Sequence, residues 1–158
     1  MTSLKDIRFE MVERGQRSLY LDYLFLADES EVAVNKYIND GEMFSIYYRN
    51  DIVGVVLYVF HAQEVVELKN IALTPEYQGS GIGSLVLTDA FERYKRNGMI
   101  KIIVGTANSS IGNLALYQKA GFRISEIKKD FFKEYPTPIY EYGIRALDMV
   151  MLEKELIE

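Results

Sequence analysis

Apolar and polar positions repeat with two different periods along this chain, and each change of period marks an element. Residues Ile7–Val12 alternate, which predicts a first strand. The run Ser18-Leu19-Tyr20-Leu21-Asp22-Tyr23-Leu24-Phe25-Leu26 is apolar on more than one face. With Arg17 before it, this reads as a helix, a strand being the alternative. Ser30 stands where an N-cap belongs, and Glu29 and Glu31 suit the positive end of the helix that follows. The apolar residues of that helix are Val32, Val34, Tyr37 and Ile38, and it ends near Asn39-Asp40-Gly41. Three strand-like segments come next: Met43–Tyr48, Ile52–Phe60 and Val65–Leu73. Their short links, Asn50-Asp51 among them, predict an antiparallel meander.

The period then lengthens. Gly81–Asn97 sets Ile82, Val86, Leu87, Ala90, Phe91 and Tyr94 on one helical stripe, with Gly98 placed as the C′ residue. Met99–Val104 reads as a short buried strand. Ser110 can cap a helix carrying Ile111, Leu114, Ala115 and Ala120, which Gly121 closes. Phe122–Ile127 and Arg145–Leu152 are the last two predicted strands. The order β-α-α-β-β-β-α-β-α-β-β belongs to a mixed α/β layer fold, read as a single domain over residues 1–158. Pro75, Pro136 and Pro138 punctuate the chain without dividing it.

Composition narrows the chemistry. The chain has no cysteine, which excludes disulfides, thiolate metal sites and thiol nucleophiles. Its one histidine, His61, cannot make a multi-histidine metal site, so no metal is expected. His61 itself reads as an ordinary exposed residue at a strand end. A net charge of −5 argues against nucleic acid as partner. The longest apolar stretch, Ile52–Phe60, has nine residues, against the roughly 20 of a membrane span. Lys5, Asp6 and Arg8 leave no room for the apolar run of a signal peptide. A cytoplasmic protein without membrane or nucleic-acid partners is the expectation.

One segment carries a chemical signal. Gln78-Gly79-Ser80-Gly81-Ile82-Gly83-Ser84 lies between the strand ending at Leu73 and the helix beginning near Gly81. Glycines let backbone N–H groups approach a ligand, and the helix start adds unsatisfied donors and partial positive charge. An anion such as a pyrophosphate is the natural guest. A P-loop would need Lys-Ser/Thr after its last glycine, where this chain has Ser84-Leu85. The dinucleotide fingerprint would need glycine where Ser84 stands. A glycine-rich turn with no ligand is the remaining alternative.

The segment is not alone. Asn70-Ile71-Ala72-Leu73-Thr74-Pro75-Glu76-Tyr77-Gln78-Gly79-Ser80-Gly81-Ile82-Gly83 resembles motif A of the GNAT superfamily, the acyl-CoA-dependent N-acetyltransferases. Asn113-Leu114-Ala115-Leu116-Tyr117-Gln118-Lys119-Ala120-Gly121-Phe122 resembles that family's second signature. The resemblance implies a mostly antiparallel sheet of six to seven strands, with helices on both faces and splayed central strands. It also implies acetyl-CoA as cosubstrate. The arm of the cosubstrate would enter between Val65–Leu73 and Met99–Ala107, against the backbone of Ile71, Ala72 and Leu73. Its pyrophosphate would lie on the loop after Gln78, over N–H groups from Gly79, Ser80, Gly81, Ile82, Gly83 and Ser84. Asn113 would stand near the arm, with Asn108 a weaker candidate.

By the same resemblance, an amine attacks the thioester directly. Tyr117 would protonate the departing thiolate and the Ile71 N–H would hold the developing oxyanion. Glu67 matches a glutamate that is the general base in some members; a water chain replaces it in others. Glu64 is a poorer candidate. The acceptor is expected to be a small-molecule primary amine, with a protein N-terminus or lysine as the alternative. A non-catalytic acyl-CoA-binding or sensing module is the competing reading. Substrate choice is expected from the first two helices and from the link between the last two strands, where Phe131, Phe132, Tyr135, Pro136, Pro138, Tyr140 and Tyr142 are interleaved with Asp130, Glu134 and Glu141. Aromatics beside carboxylates can receive an amine, but they can equally form the contact of a homodimer.

Overall fold

The computed structural model describes residues 4–157. Seven strands form one sheet in the order β1-β2-β3-β4-β5-β9-β6. They are β1 (Ile7–Met11), β2 (Glu42–Tyr48), β3 (Asp51–His61), β4 (Val65–Leu73), β5 (Lys101–Ala107), β6 (Arg123–Lys128) and β9 (Met149–Glu155). β7 (Tyr140–Glu141) and β8 (Ile144–Arg145) make a separate hairpin. Every pairing in the large sheet is antiparallel except β4 with β5. The expected mixed, mostly antiparallel architecture is therefore present.

Helices cover both faces. On one side α1 (Leu21–Ala27) and α2 (Glu31–Tyr37) bury Leu24, Val34 and Tyr37 against Met43, Val55, Leu57 and Ala72. On the other, α3 (Ile82–Arg96) and α4 (Ile111–Lys119) bury Val86, Leu87, Ala90 and Tyr117 against Val56, Val66, Ile102 and Leu152. The helical stripe read in α3 faces this second core. Ser30 caps α2 as expected, its Oγ accepting from the Ala33 N–H at 3.1 Å.

Four sequence readings shift. The predicted helix from Arg17 begins instead as a 3₁₀ segment, Arg14–Tyr20, and becomes α-helical only at Leu21. Arg17 is the cause: its buried guanidinium donates to the carbonyls of Val12, Ile38, Asp40 and Gly41 and holds the tighter turn against the end of α2. The strand predicted at Met99 starts at Lys101, because the Met99 N–H closes α3 on Tyr94 and the Ile100 N–H bonds Glu64. The predicted strand Arg145–Leu152 divides, residues 144–145 joining the hairpin and 149–155 the sheet. Ser110 does not cap α4; its Oγ donates to Glu141 at 2.8 Å.

Candidate active site

A cavity opens where two neighbouring strands part. β4 and β5 pair from Val65↔Lys101 to Leu68↔Val104 and no further. Residues 69–73 of β4 and 105–107 of β5 therefore face a gap. Thr74 donates its N–H to Val53 on the β3 side. Successive N–H groups of a strand alternate sides, so those of Ile71 and Leu73 point into the gap. This unpaired edge can accept an extended chain as an added strand.

The gap is the centre of a cavity of about 460 Å³. Ile71, Thr106, Asn113 and Tyr117 line its inner part; Asp28, Glu67, Phe132, Tyr135 and Glu141 line the part under α1 and α2 and the β6–β9 link. That link, expected to shape the acceptor side, lies over the cavity through its aromatic residues. Ser109 and Ser110 both donate to Glu141 Oε1, which holds the β7–β8 hairpin against the start of α4.

A bulge arranges the polar residues of β4. Leu57 pairs with Asn70 and Tyr58 with Leu68, leaving Lys69 without an opposite residue. Lys69 and Asn70 can thus both turn toward α1 and α2. Lys69 Nζ lies 5.4 Å from the Tyr37 ring centre and 3.8 Å from Glu67 Oε2. Asn70 Nδ2 donates to the Leu24 carbonyl at 3.1 Å and to the Tyr37 hydroxyl at 2.9 Å. The Tyr37 hydroxyl donates on to Asp28 Oδ2 at 3.0 Å. Burial raises the Tyr37 phenol well above its ordinary value, so it remains a donor in this chain of bonds.

Tyr117 is buried, only 3% exposed. Its ring packs edge-on to Phe122 at 5.6 Å. Burial alone pushes its phenol up to about 12, so the group is protonated at every working pH. Glu67, the other catalytic candidate, is on the cavity wall with its side chain 15% exposed. Its Oε1 lies 2.7 Å from His61 Nε2. His61 was expected to be an ordinary exposed histidine. The only sequence signal for the pair is indirect: a hairpin between residues 61 and 65 sets His61 beside Val65, two positions before Glu67.

The glycine loop takes a defined shape. Gly79 and Gly81 have φ of +74° and +93°, which glycine adopts without strain. The Leu85 N–H bonds back to Gly81, so the N–H groups of Ile82, Gly83 and Ser84 precede the α3 ladder and are left for an outside acceptor. Gln78 and Ser80 serve the loop itself. Gln78 Nε2 donates to Leu73 O at 3.1 Å, and the Ser80 hydroxyl donates to Tyr77 O. Asn113 lies at the cavity, 3.5 Å from the Thr106 hydroxyl. Asn108 donates to Arg145 O and accepts from the N–H groups of Leu147 and Asp148, clamping the start of β9. Among the described residues no cluster of side chains could hold a metal ion, and no helix is long and apolar enough to cross a membrane.

Comparison with known proteins is consistent with this geometry. The sequence profile described as "Acetyltransferase (GNAT) family" matches residues 8–122. The chain is 39% identical over 155 residues to YvbK of Bacillus subtilis (strain 168), an uncharacterized N-acetyltransferase, covering 98% of this chain and 99% of that one. It superposes with a TM-score of 0.88 on a GNAT family acetyltransferase from Elizabethkingia anophelis with acetyl-CoA bound, at 40% identity and covering 95% of this chain and 98% of the other. A shorter match, 31% identical over 103 residues, is to the [ribosomal protein bS18]-alanine N-acetyltransferase of Haemophilus influenzae, covering 63% of this chain and 67% of that protein.

Proposed function

Because this chain belongs to the GNAT acetyltransferase family, we propose that it transfers an acetyl group from acetyl-CoA to the primary amine of a small molecule. The acetyl-CoA dependence goes with the family. The small-molecule acceptor rests on one observation: Phe132 and Tyr135 line the same cavity as the carboxylates of Asp28, Glu67 and Glu141. Such a space fits a short cation better than a peptide. The same aromatic link also suits a homodimer contact, and a mass measurement in solution decides that separately.

Acetyl-CoA brings the activated acyl group; the chain orients it and moves protons. The Ile71 and Leu73 N–H groups pair with the arm, and the N–H groups of Gly79 and of Gly81 through Ser84 hold the pyrophosphate. Ala72 fixes this edge by packing into the opposite core. Gln78 and Ser80 keep the loop in shape, and Asn113 faces the arm. Glu67 takes a proton from the acceptor ammonium, directly or through one water. The amine nitrogen then bonds to the thioester carbon while the Ile71 N–H holds its oxygen. As the carbon–sulfur bond breaks, Tyr117 donates its proton to the sulfur; the second proton lost by the amine nitrogen passes to water, and Tyr117 regains a proton from water. A phenol raised to about 12 would give up its proton reluctantly in water. The same dry wall raises the proton affinity of the thiolate, which narrows the gap.

The experiment is thiol release from acetyl-CoA with a panel of amines: 1,4-diaminobutane, tyramine, free lysine and an alanine-initiated peptide. Turnover on the small amines supports the reading. Turnover confined to the peptide would move the acceptor to a protein N-terminus, the reading that the bS18-alanine relative favours. Tight CoA binding with no turnover on any amine would leave a sensing module.

A further inference from the structure

We propose that His61 is the positioning residue for the base. It holds Glu67 through its Nε2–H and, by its own protonation, sets the pH below which Glu67 stops working. This rests on the reading of Glu67 as the group that takes the acceptor's proton.

An ionised carboxylate has only acceptors, so the hydrogen in the 2.7 Å contact belongs to His61 Nε2. In the neutral ring Nδ1 then carries the lone pair. The His61 side chain is 46% exposed and Glu67 15% exposed, so the pair runs from solvent to the cavity wall. His61 ends β3 and Glu67 lies on β4, and the antiparallel register between them fixes the pair through backbone. Held at Oε1, the carboxylate can take the acceptor's proton at Oε2 and later return it to water.

The sign of the pH effect follows. When Nδ1 gains a proton, an imidazolium stands against Oε1. A cation there stabilises the ionised carboxylate and makes it a weaker base. Activity should therefore fall as His61 becomes charged. Other charges face Glu67. Lys69 Nζ, on β4, is 3.8 Å from Oε2 and acts in the same sense. From the remaining elements around the cavity come Asp28 and Glu29 beside α1, Lys128 on β6, Glu141 on β7, and the phenols of Tyr37, Tyr117, Tyr135 and Tyr140. On β5, Lys101 is paired with Glu153 instead.

His61 is the chain's one histidine, so its ring signals need no assignment in tag-free ¹⁵N-labelled protein. The expected result is a neutral ring protonated at Nε2, with an inflection that moves by more than about half a pH unit in Glu67→Gln. In the amine assay, His61→Ala should lose about tenfold in kcat at neutral pH and His61→Gln, whose amide can still donate to Glu67, about two- to threefold. Both variants should lose the part of the acid limb that His61 sets. If the ring titrates identically in wild type and Glu67→Gln, or if both His61 variants keep the wild-type pH–rate profile, the inference falls. If Glu67→Gln itself keeps wild-type rate and profile, the reading of Glu67 falls and this inference with it. A slow Glu67→Gln beside wild-type His61 variants overturns only the inference.

Discussion

Leu68 and Val104 are the last residues that face each other across β4 and β5; beyond them the two parallel strands separate. Of the five residues of β4 that follow, Asn70 through Leu73 pair with β3, and Lys69, Asn70 and Ile71 line the cavity. An edge of this kind, inside a sheet, leaves hydrogen-bonding groups without a strand partner. A ligand that adds its own extended backbone-like arm restores them.

Acetyl-CoA should therefore stabilise the fold. At a hundredfold excess over its dissociation constant, a native-state ligand adds about 2.7 kcal/mol. For a chain of this size that is a rise in melting temperature of roughly 5–10 °C. Differential scanning fluorimetry with and without acetyl-CoA reads it. No shift at saturating ligand would remove the cosubstrate assignment and everything built on it.

Gly81 gives a local test of the same site. Its φ of +93° ends the loop immediately before α3. An alanine there costs about 1–2 kcal/mol of backbone strain, or the loop changes shape to avoid it. Gly81→Ala should weaken CoA binding by about tenfold or more while the two cores stay folded. Calorimetric titration with CoA, beside a circular-dichroism melt, separates the two effects. Unchanged affinity would show that the pyrophosphate does not rest on this loop.

Tyr117→Phe keeps the ring that packs on Phe122 and removes only the hydroxyl. The expected loss in kcat is about 10²-fold or more, with CoA affinity within about threefold of wild type. A variant that turns over at the wild-type rate would take Tyr117 out of the chemistry and leave it a core residue.

Much of this was legible beforehand, for identifiable reasons. The stripe of α3 and the alternation in β3 and β4 are periodic over many residues, so packing and sequence agree. The two glycine-bearing motifs are local, and local geometry is what sequence encodes most directly. What escaped reading depends on distant partners. The 3₁₀ start before α1 follows from Arg17 reaching carbonyls more than twenty residues away. The insertion of β9 between β5 and β6 is a matter of topology, to which no single segment points. The clamp at Asn108 requires Arg145, Leu147 and Asp148 to arrive first. The His61–Glu67 pair was hidden because the two residues are six positions apart on different strands.

Asn70 links the acceptor wall to the fold, and its amide orientation is decided by Leu24. A carbonyl can only accept, so Nδ2 must face it. That leaves Oδ1 buried and without a partner among the described residues. Asn70→Asp would put an acceptor against the Leu24 carbonyl, and Asn70→Ala would remove one bond each from that carbonyl, which keeps the Asp28 N–H, and from the Tyr37 hydroxyl, which keeps Asp28 Oδ2. A loss of about 1–3 kcal/mol is expected for the alanine variant, and more for the aspartate. Urea denaturation measures both. Equal stability of the aspartate variant and wild type would mean that the Asn70–Leu24 bond does not hold α1 to β4.

The buried phenols predict how the protein unfolds in base. Tyr117 has its ionisation raised to about 12, and Tyr37, Tyr58 and Tyr94 are raised too, chiefly by burial. In the unfolded chain each ionises near its ordinary value of about 10. Above that pH the native state binds more protons than the unfolded state, so stability falls as pH rises. Below it these groups are neutral in both states and contribute no slope. Stability from urea midpoints should therefore carry no tyrosine-linked change up to about pH 10 and decline steeply beyond it. Tyr117→Phe removes one group from the balance, and its stability should decline less steeply between about pH 10 and 12 than that of the wild type. Parallel curves for the two proteins across that window would mean that the Tyr117 hydroxyl is hydrated in the native state. A hydrated hydroxyl would in turn remove the dry wall on which its proposed proton transfer to the thiolate depends.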